Sequence, residues 1–277
     1  MSYFSWQRLA RWTVLAAIPT FLHAADGVIL IDQNSAVAGG VVPGDEPGFP
    51  VTITQPGSYR LSGNLTVPDA NTTAIRITAD SVTLDLGGFS IAGPIVCSGD
   101  PTSCSHGQGV GIQATGADAA SAPRGVTILN GSVHGMDIGV WMTGDGAMVK
   151  RVAAYSNATG GMTVSGSVLE SSSTRNGGFG IIGNMVRDSN TSLNGGEGII
   201  LNPGGVASSN VVSLNNGMGI VAPYATVTSN SLFANKLAGI SAICPSTIVG
   251  NTIATLSDSL FDLQGGGCVQ SNNAAGK

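Results

Sequence analysis

The stretch SNVVSLNNGMGIVAPYATVTSNSLFANKLAGI, Ser209 to Ile240, states one phrase twice. Ser209-Asn210 is followed by Asn215 and then by Gly219-Ile220; Ser229-Asn230 is followed by Asn235 and then by Gly239-Ile240. Aligned on the second asparagine, related phrases start at Val149 (VKRVAAYSN), Val168 (VLESSSTRN), Val186 (VRDSNTSLN), Ala207 (ASSNVVSLN), Val227 (VTSNSLFAN) and Ile248 (IVGNTIATL). The starts lie 19, 18, 21, 20 and 21 residues apart. A glycine-rich turn and a Gly-aliphatic step follow most copies, at Gly180-Ile181, Gly198-Ile199, Gly219-Ile220 and Gly239-Ile240.

A fixed period of this size marks stacked structural repeats. A helical repeat would carry apolar residues at i, i+3, i+4 and i+7 over ten or more residues. Here the apolar runs are short, β-branched and broken every few residues by Gly, Asn or Ser. A period near 20 is too short for a propeller blade, and the leucine-rich signature is absent. Three short strands and three turns per copy, coiled always the same way, satisfy the pattern. Looser copies precede the regular ones: VTILNGSVHGMDIGVWM from Val126, with His134 expected where the later asparagines stand, and VTLDLGGFSIAG from Val82. The Val82 copy is swollen by an insertion carrying Cys97 and Cys104 before GVGI at Gly109–Ile112 resumes the phrase.

Composition agrees with this reading. Of 277 residues, 42% are hydrophobic, 5% aromatic and 10% charged, with 41 glycines. Disorder needs low hydrophobicity and high net charge, and neither is present at a mean hydropathy of +0.27. The wealth of Val, Ile, Thr, Ser, Asn and Gly suits short strands joined by tight turns.

The N-terminus reads as an export signal over residues 1–24. Arg8 and Arg11 precede an apolar run from Trp12 to Leu22, and the small pair Ala24-Ala25 follows. That order is the mark of a cleaved leader, and the run is too short for a membrane-spanning helix of ~20 residues. Removing Arg8 and Arg11 takes the 11 basic residues to 9 against 16 acidic ones, a net −7. Such a balance disfavours a nucleic-acid partner, which calls for clustered positive charge. The expectation is a secreted or periplasmic protein with no membrane span after cleavage. In an oxidising compartment the four cysteines form disulfides. Of the three pairings open to four cysteines, spacing favours Cys97–Cys104 and Cys244–Cys268; no CxxC or Cys/His pair has zinc spacing.

The pattern V-x-x-N-x-[VLI]-x-x-N followed by Gly-Ile resembles the right-handed β-helix repeat proteins of the pectate-lyase-like superfamily, from Val126 to about Asp262 and more loosely from Val82. The resemblance implies an all-β, single-stranded right-handed parallel β-helix of about nine rungs over 82–277, behind an irregular N-terminal cap with its first strands over 25–81. Catalytic signatures of that superfamily do not carry over. The chain has no Asp-Asp pair; SHGQG at Ser105 and VHGMD at Val133 are not Gly-His-Gly; VKRV is not Arg-Ile-Lys. Acidic residues are dispersed rather than clustered for calcium, and Asp-Pro-His is missing. No cofactor or metal is expected.

Rungs stacked about 4.8 Å apart turn equivalent positions into columns. One asparagine column comprises Asn210, Asn230 and Asn251; the other comprises Asn157, Asn176, Asn194, Asn215 and Asn235. Stacked amides can bond along the column while satisfying turn backbone groups. A catalytic site needs convergence at one place, not repetition, so these residues read as fastenings.

Chemistry is then expected where the columns change character. One column runs Arg151, Glu170, Asp188 before giving way to Ser209, Ser229 and Gly250, with Lys150 and Arg187 alongside. Glu170 and Asp188 at rung spacing would stand near the carboxylate separation of retaining glycosidases, and an arginine beside them could neutralise a uronic acid. The plainer reading is an ion-pair ladder on a solvated face. Trp141 alternates outward and could stack on a sugar ring; Tyr155 and Tyr224 fall on faces or turns. His134, Met136, Met142, Met148 and Met162 cluster in two consecutive rungs with donors suited to copper(I), although Met is also a common core filler.

The leading expectation is non-catalytic recognition of a polysaccharide or cell-surface partner along an elongated face. A divergent polysaccharide lyase or glycoside hydrolase using Arg151, Glu170 and Asp188 is the alternative, and an adhesin-like structural spacer the third. Oligomeric state is open.

Overall fold

A computed structural model describes residues 27–118, 120–254, 256 and 259–276; the expected leader lies outside the described residues. The chain winds into a right-handed parallel β-solenoid of about ten turns. One turn passes through three short strands, such as Ile220–Pro223, Thr226–Thr228 and Ser231–Phe233, and the next through Ile240–Ile243, Thr247–Val249 and Thr252–Ala254. Each strand pairs in parallel with its counterpart one turn on, as in Ile220↔Ile240, Val227↔Ile248 and Leu232↔Ile253. Three long parallel sheets result, called here first, second and third in that order.

The period-2 alternation of each strand sends one set of side chains inward. Ile220, Val227, Leu232 and their equivalents make one continuous core along the axis. Parallel pairing also runs upstream of residue 82: Val51–Ile53 pairs with Ile75–Ile77, and Gly57–Leu61 with Val82–Asp85. The expected count of nine rungs is therefore close to the ten observed, and the difference lies in these early strands. A short α-helix, Gln33–Ala38, precedes them. Asp32 caps it by accepting from the Ser35 backbone N–H, Ser35 Oγ accepts in return from the Asp32 N–H, and Ala36 is buried in the core. Among the described residues no helix is long and apolar enough to cross a membrane.

Both asparagine columns are buried ladders. In the second, the Nδ2 of Asn157, Asn176, Asn194 and Asn215 each donates to the Oδ1 of the next asparagine at 2.8–3.0 Å. The same oxygens also accept from backbone N–H groups one turn below. The first ladder links Asn210, Asn230 and Asn251 in the same way and continues to Asn273. It reaches downward through serines: Ser189 N–H donates to Asn210 Oδ1, Ser171 N–H to Ser189 Oγ, and Val152 N–H to Ser171 Oγ. The expectation that His134 continues the second column is corrected. His134 pairs with Tyr155, one row outward, and the residue opposite Asn157 is Met136, whose N–H donates to Asn157 Oδ1.

Cys97–Cys104 and Cys244–Cys268 are both disulfides. The first closes a small antiparallel hairpin, Cys97–Ser98 with Ser103–Cys104, in the expected insertion. Thr102 at its tip donates to the Leu193 carbonyl at 2.7 Å, so the hairpin lies over turns far along the solenoid.

Candidate functional site

Between the second and third sheets the chain bends at a single residue in the left-handed region. That position is Asn130, Arg151, Glu170, Asp188, Ser209, Ser229, Gly250 and Asn272 in successive turns, with φ from 49° to 70°. From Val152 to Asn251 the next residue buries its side chain, so the left-handed residue projects outward. Only Gly, and less readily Asn or Asp, adopts this conformation without cost, yet an arginine and a glutamate stand here.

These side chains edge an open groove of about 570 Å³. Its lining runs from Gly131 past Arg151, Glu170 and Asp188 to Ser209 and Val211. That spans five consecutive turns, about 19 Å at the spacing of paired strands. The floor is of small outward residues of the third sheet, Ala153, Ser172 and Asn190, which pair in register. The three residues singled out from the sequence are thus brought together on one bank of a groove.

Glu170 is held from two sides, by Lys150 Nζ at 2.9 Å and by Arg151 at 3.5 Å. Asn130 Oδ1 steadies the same guanidinium, accepting from Arg151 Nε at 2.8 Å. The hydrogen bond from Lys150 and the nearby positive charges hold the Glu170 carboxyl below its ordinary range, so it is ionised at neutral pH. Asp188 pairs instead with Arg187 at 3.2 Å. The groove lining itself carries Arg151 against Glu170 and Asp188, and Lys150 and Arg187 pair with those two carboxylates from beside it.

Trp141 does turn outward, half-buried, but on the first sheet, in a row with Gln113, Thr163 and Ile182. It is not part of the groove. The copper-suited set does not converge: Met136, Met142 and Met162 are buried in the core at 0–1% exposure, and His134 faces outward against the ring of Tyr155. Among the described residues no group of three or more His, Cys, Asp or Glu could hold a metal.

Sequence reasoning missed a stacked aromatic pair beside the groove floor. His134 and Tyr155 stack with centroids 4.8 Å apart and planes 15° from parallel. They stand one outward position beyond the groove floor, because Ala153 and Tyr155 lie on the same face of one strand. Register alone would have found the pair, had His134 not been placed in the asparagine column. Burial holds the His134 imidazole below its ordinary pKa. A depressed histidine stays neutral in the fold while the unfolded chain takes up a proton below about pH 6.5, so stability falls as the pH drops past that value. The melting temperature is expected to decline from neutral pH to about pH 5 more steeply for the native chain than for His134→Phe; equal slopes would refute it.

No family model matches the chain, and no curated protein matches it. Among solved structures it is similar to the A-module of the Azotobacter vinelandii mannuronan C-5 epimerase AlgE4, at 12% identity and a TM-score of 0.50, covering 81% of this chain and 80% of that one. It is also similar to the periplasmic alginate epimerase AlgG, at 11% identity and a TM-score of 0.45, covering 82% and 76%. At such identities the likeness is one of fold.

Proposed function

We propose that the chain recognises a polysaccharide, without cleaving it, in the groove between the second and third sheets. The observation that carries this reading is the Arg151–Glu170–Asp188 column lining an elongated groove over a floor of small residues. A groove with fixed charges along one bank suits a polymer with regularly placed hydroxyls and carboxylates. With Lys150 and Arg187 flanking the groove, three cations stand on this bank against the two carboxylates Glu170 and Asp188, which favours an acidic one, and mannuronan, which the fold neighbour's name carries, belongs in the panel. Two disulfides suit an oxidising compartment outside the cytoplasm, where such polymers are met.

Two-carboxylate catalysis requires one acid kept protonated by a raised pKa. Glu170 is shifted the other way by its bonds to Lys150 and Arg151. The ion pairs that could be mistaken for an active site instead fix the geometry of the charged bank.

The test is retention on a panel of mannuronan, polygalacturonate and a neutral glucan, with reducing-end and unsaturated-product assays on the same samples. The native chain is expected to bind an acidic polymer and release no product. Arg151→Asn should weaken binding about tenfold, the order of one lost charge-assisted contact. Asparagine already occupies the equivalent left-handed position at Asn130 and Asn272, so that variant keeps the turn. Product formation abolished by Glu170→Gln would overturn the non-catalytic reading in favour of a lyase or hydrolase. Retention of no glycan would overturn both and leave the structural spacer.

A further inference from the structure

The outer row of the third sheet runs His134, Tyr155, Thr174, Ser192, Ser213, Phe233 in paired register. It stands beside the groove floor, opposite the charged bank. Its composition is uneven in an ordered way. Rings occupy the two ends, and the three turns between them carry only small hydroxyl side chains. His134 covers one side of Tyr155, whereas Thr174 on the other side is too small to cover it. Phe233 is 60% exposed, and Val211 at the end of the groove is 47% exposed. From Tyr155 to Phe233 there are four strand pairings, about 19 Å; the groove is equally long but begins one turn earlier, at Gly131, so that Phe233 stands one turn past Val211, its last lining residue.

We propose that Tyr155 and Phe233 are sugar-stacking contacts at the two ends of one track, and that the ligand is an oligosaccharide stretch long enough to reach both. The proposal rests on the groove reading above and adds to it the second bank, the direction of the chain along the solenoid axis, and a minimum ligand length. The physical argument is division of labour across the groove. A pyranose has an apolar face of C–H groups and a polar rim. Apolar faces pack on aromatic rings, and hydroxyls and carboxylates meet the charged side chains of the other bank. The hydroxyl row between the rings leaves room for the sugars and supplies donors and acceptors along the way. An isolated exposed phenylalanine would need no explanation. One placed in register with a half-covered tyrosine, one turn past the end of the charged groove, does.

The experiment is calorimetric titration of the full chain with a length series of oligomannuronates, from the dimer to the octamer, against Tyr155→Ala, Phe233→Ala and Arg151→Asn. Affinity is expected to rise with length until both rings are bridged and then to level off. Tyr155→Ala and Phe233→Ala should each lower affinity for the long oligomers about threefold to tenfold, the range of one aromatic contact. Phe233→Ala should leave the dimer unchanged. Thermal melts of each variant check that the fold is kept, as both side chains are outside the core. Binding that Arg151→Asn weakens but that ignores length and both rings would overturn the track while leaving the groove. Should no member of the series bind while a neutral glucan does, the acidic preference falls, and the same length and ring comparisons on glucan oligomers decide the track. Failure of every glycan overturns the groove reading and the track together.

Discussion

Asn215→Ala is expected to melt about 10 °C below the native chain. Asn215 is 1% exposed, between Asn194 and Asn235 in its ladder. Its Oδ1 accepts from the backbone N–H of Asn194 at 3.2 Å and from Asn194 Nδ2 at 2.8 Å; its Nδ2 donates to the Thr191 carbonyl at 3.2 Å and to Asn235 Oδ1 at 2.9 Å. Alanine removes all four bonds; Asn194 Nδ2 keeps the Ser173 carbonyl and Asn235 Oδ1 keeps the backbone N–H of residue 215, but the Asn194 backbone N–H and the Thr191 carbonyl lose these partners in a dry interior, where each orphaned group costs about 1–3 kcal/mol. Relaxation of the neighbours brings the sum to about 3–4 kcal/mol, and at this chain length each kcal/mol moves the midpoint by about 2–4 °C. Asn216→Ala is the control. The neighbouring side chain is half-exposed, gives one bond to the Gly195 carbonyl and receives one from Lys236, and its loss should move the midpoint by no more than about 3 °C. Circular dichroism melts of the two variants side by side settle the matter: equal shifts would mean that the ladder is ornamental.

Gly219→Ala is expected to be comparably damaging, although it adds only a methyl group. The glycine of the Gly-Ile step begins each first-sheet strand at the point where the coil closes. A Cβ there would lie 2.5 Å from the Gly239 carbonyl oxygen, 2.8 Å from Leu232 Cδ2 and 3.0 Å from Asn235 Nδ2. One contact is backbone of the next turn and another is the ladder itself, so neither can move without loosening a second feature. Overpacking of this kind costs about 1–3 kcal/mol, occasionally more, and the coupling to the ladder argues for the upper end. Gly266→Ala is the contrast, since a Cβ at Gly266 meets nothing within 4 Å. Denaturant midpoints should fall for the first substitution and stay put for the second; tolerance at Gly219 would show that the turns can spread apart freely.

Much of this was legible in the residues. The Val-Asn-Asn-Gly period gave the solenoid, and the spacing of Cys97, Cys104, Cys244 and Cys268 gave both disulfides. The columns were legible wherever asparagine recurred, and the charged break at Arg151, Glu170 and Asp188 falls where expected. Legibility failed where the motif degenerates. Ser171 and Ser189 continue the first ladder with a hydroxyl in place of an amide, and Asn273 sits in a copy too worn to align. His134 was placed in the wrong row because its turn carries Met136 rather than asparagine at the ladder position. That error hid its stacking on Tyr155.

By itself the sequence determined what repeats: which residues face inward, which stack in columns, and how far apart the turns begin. Those are consequences of a period-2 strand and a fixed turn length, both local. Only the tertiary structure decided what lies beside what across a turn. The left-handed residue between the second and third sheets throws its own side chain outward and the next one inward. The charged column and the small outward row of the third sheet, far from identical in sequence, thereby come to line one groove. A repeat records the contacts a residue makes with its own copies. A site is made of contacts between different columns, and these depend on the angle at which the sheets meet.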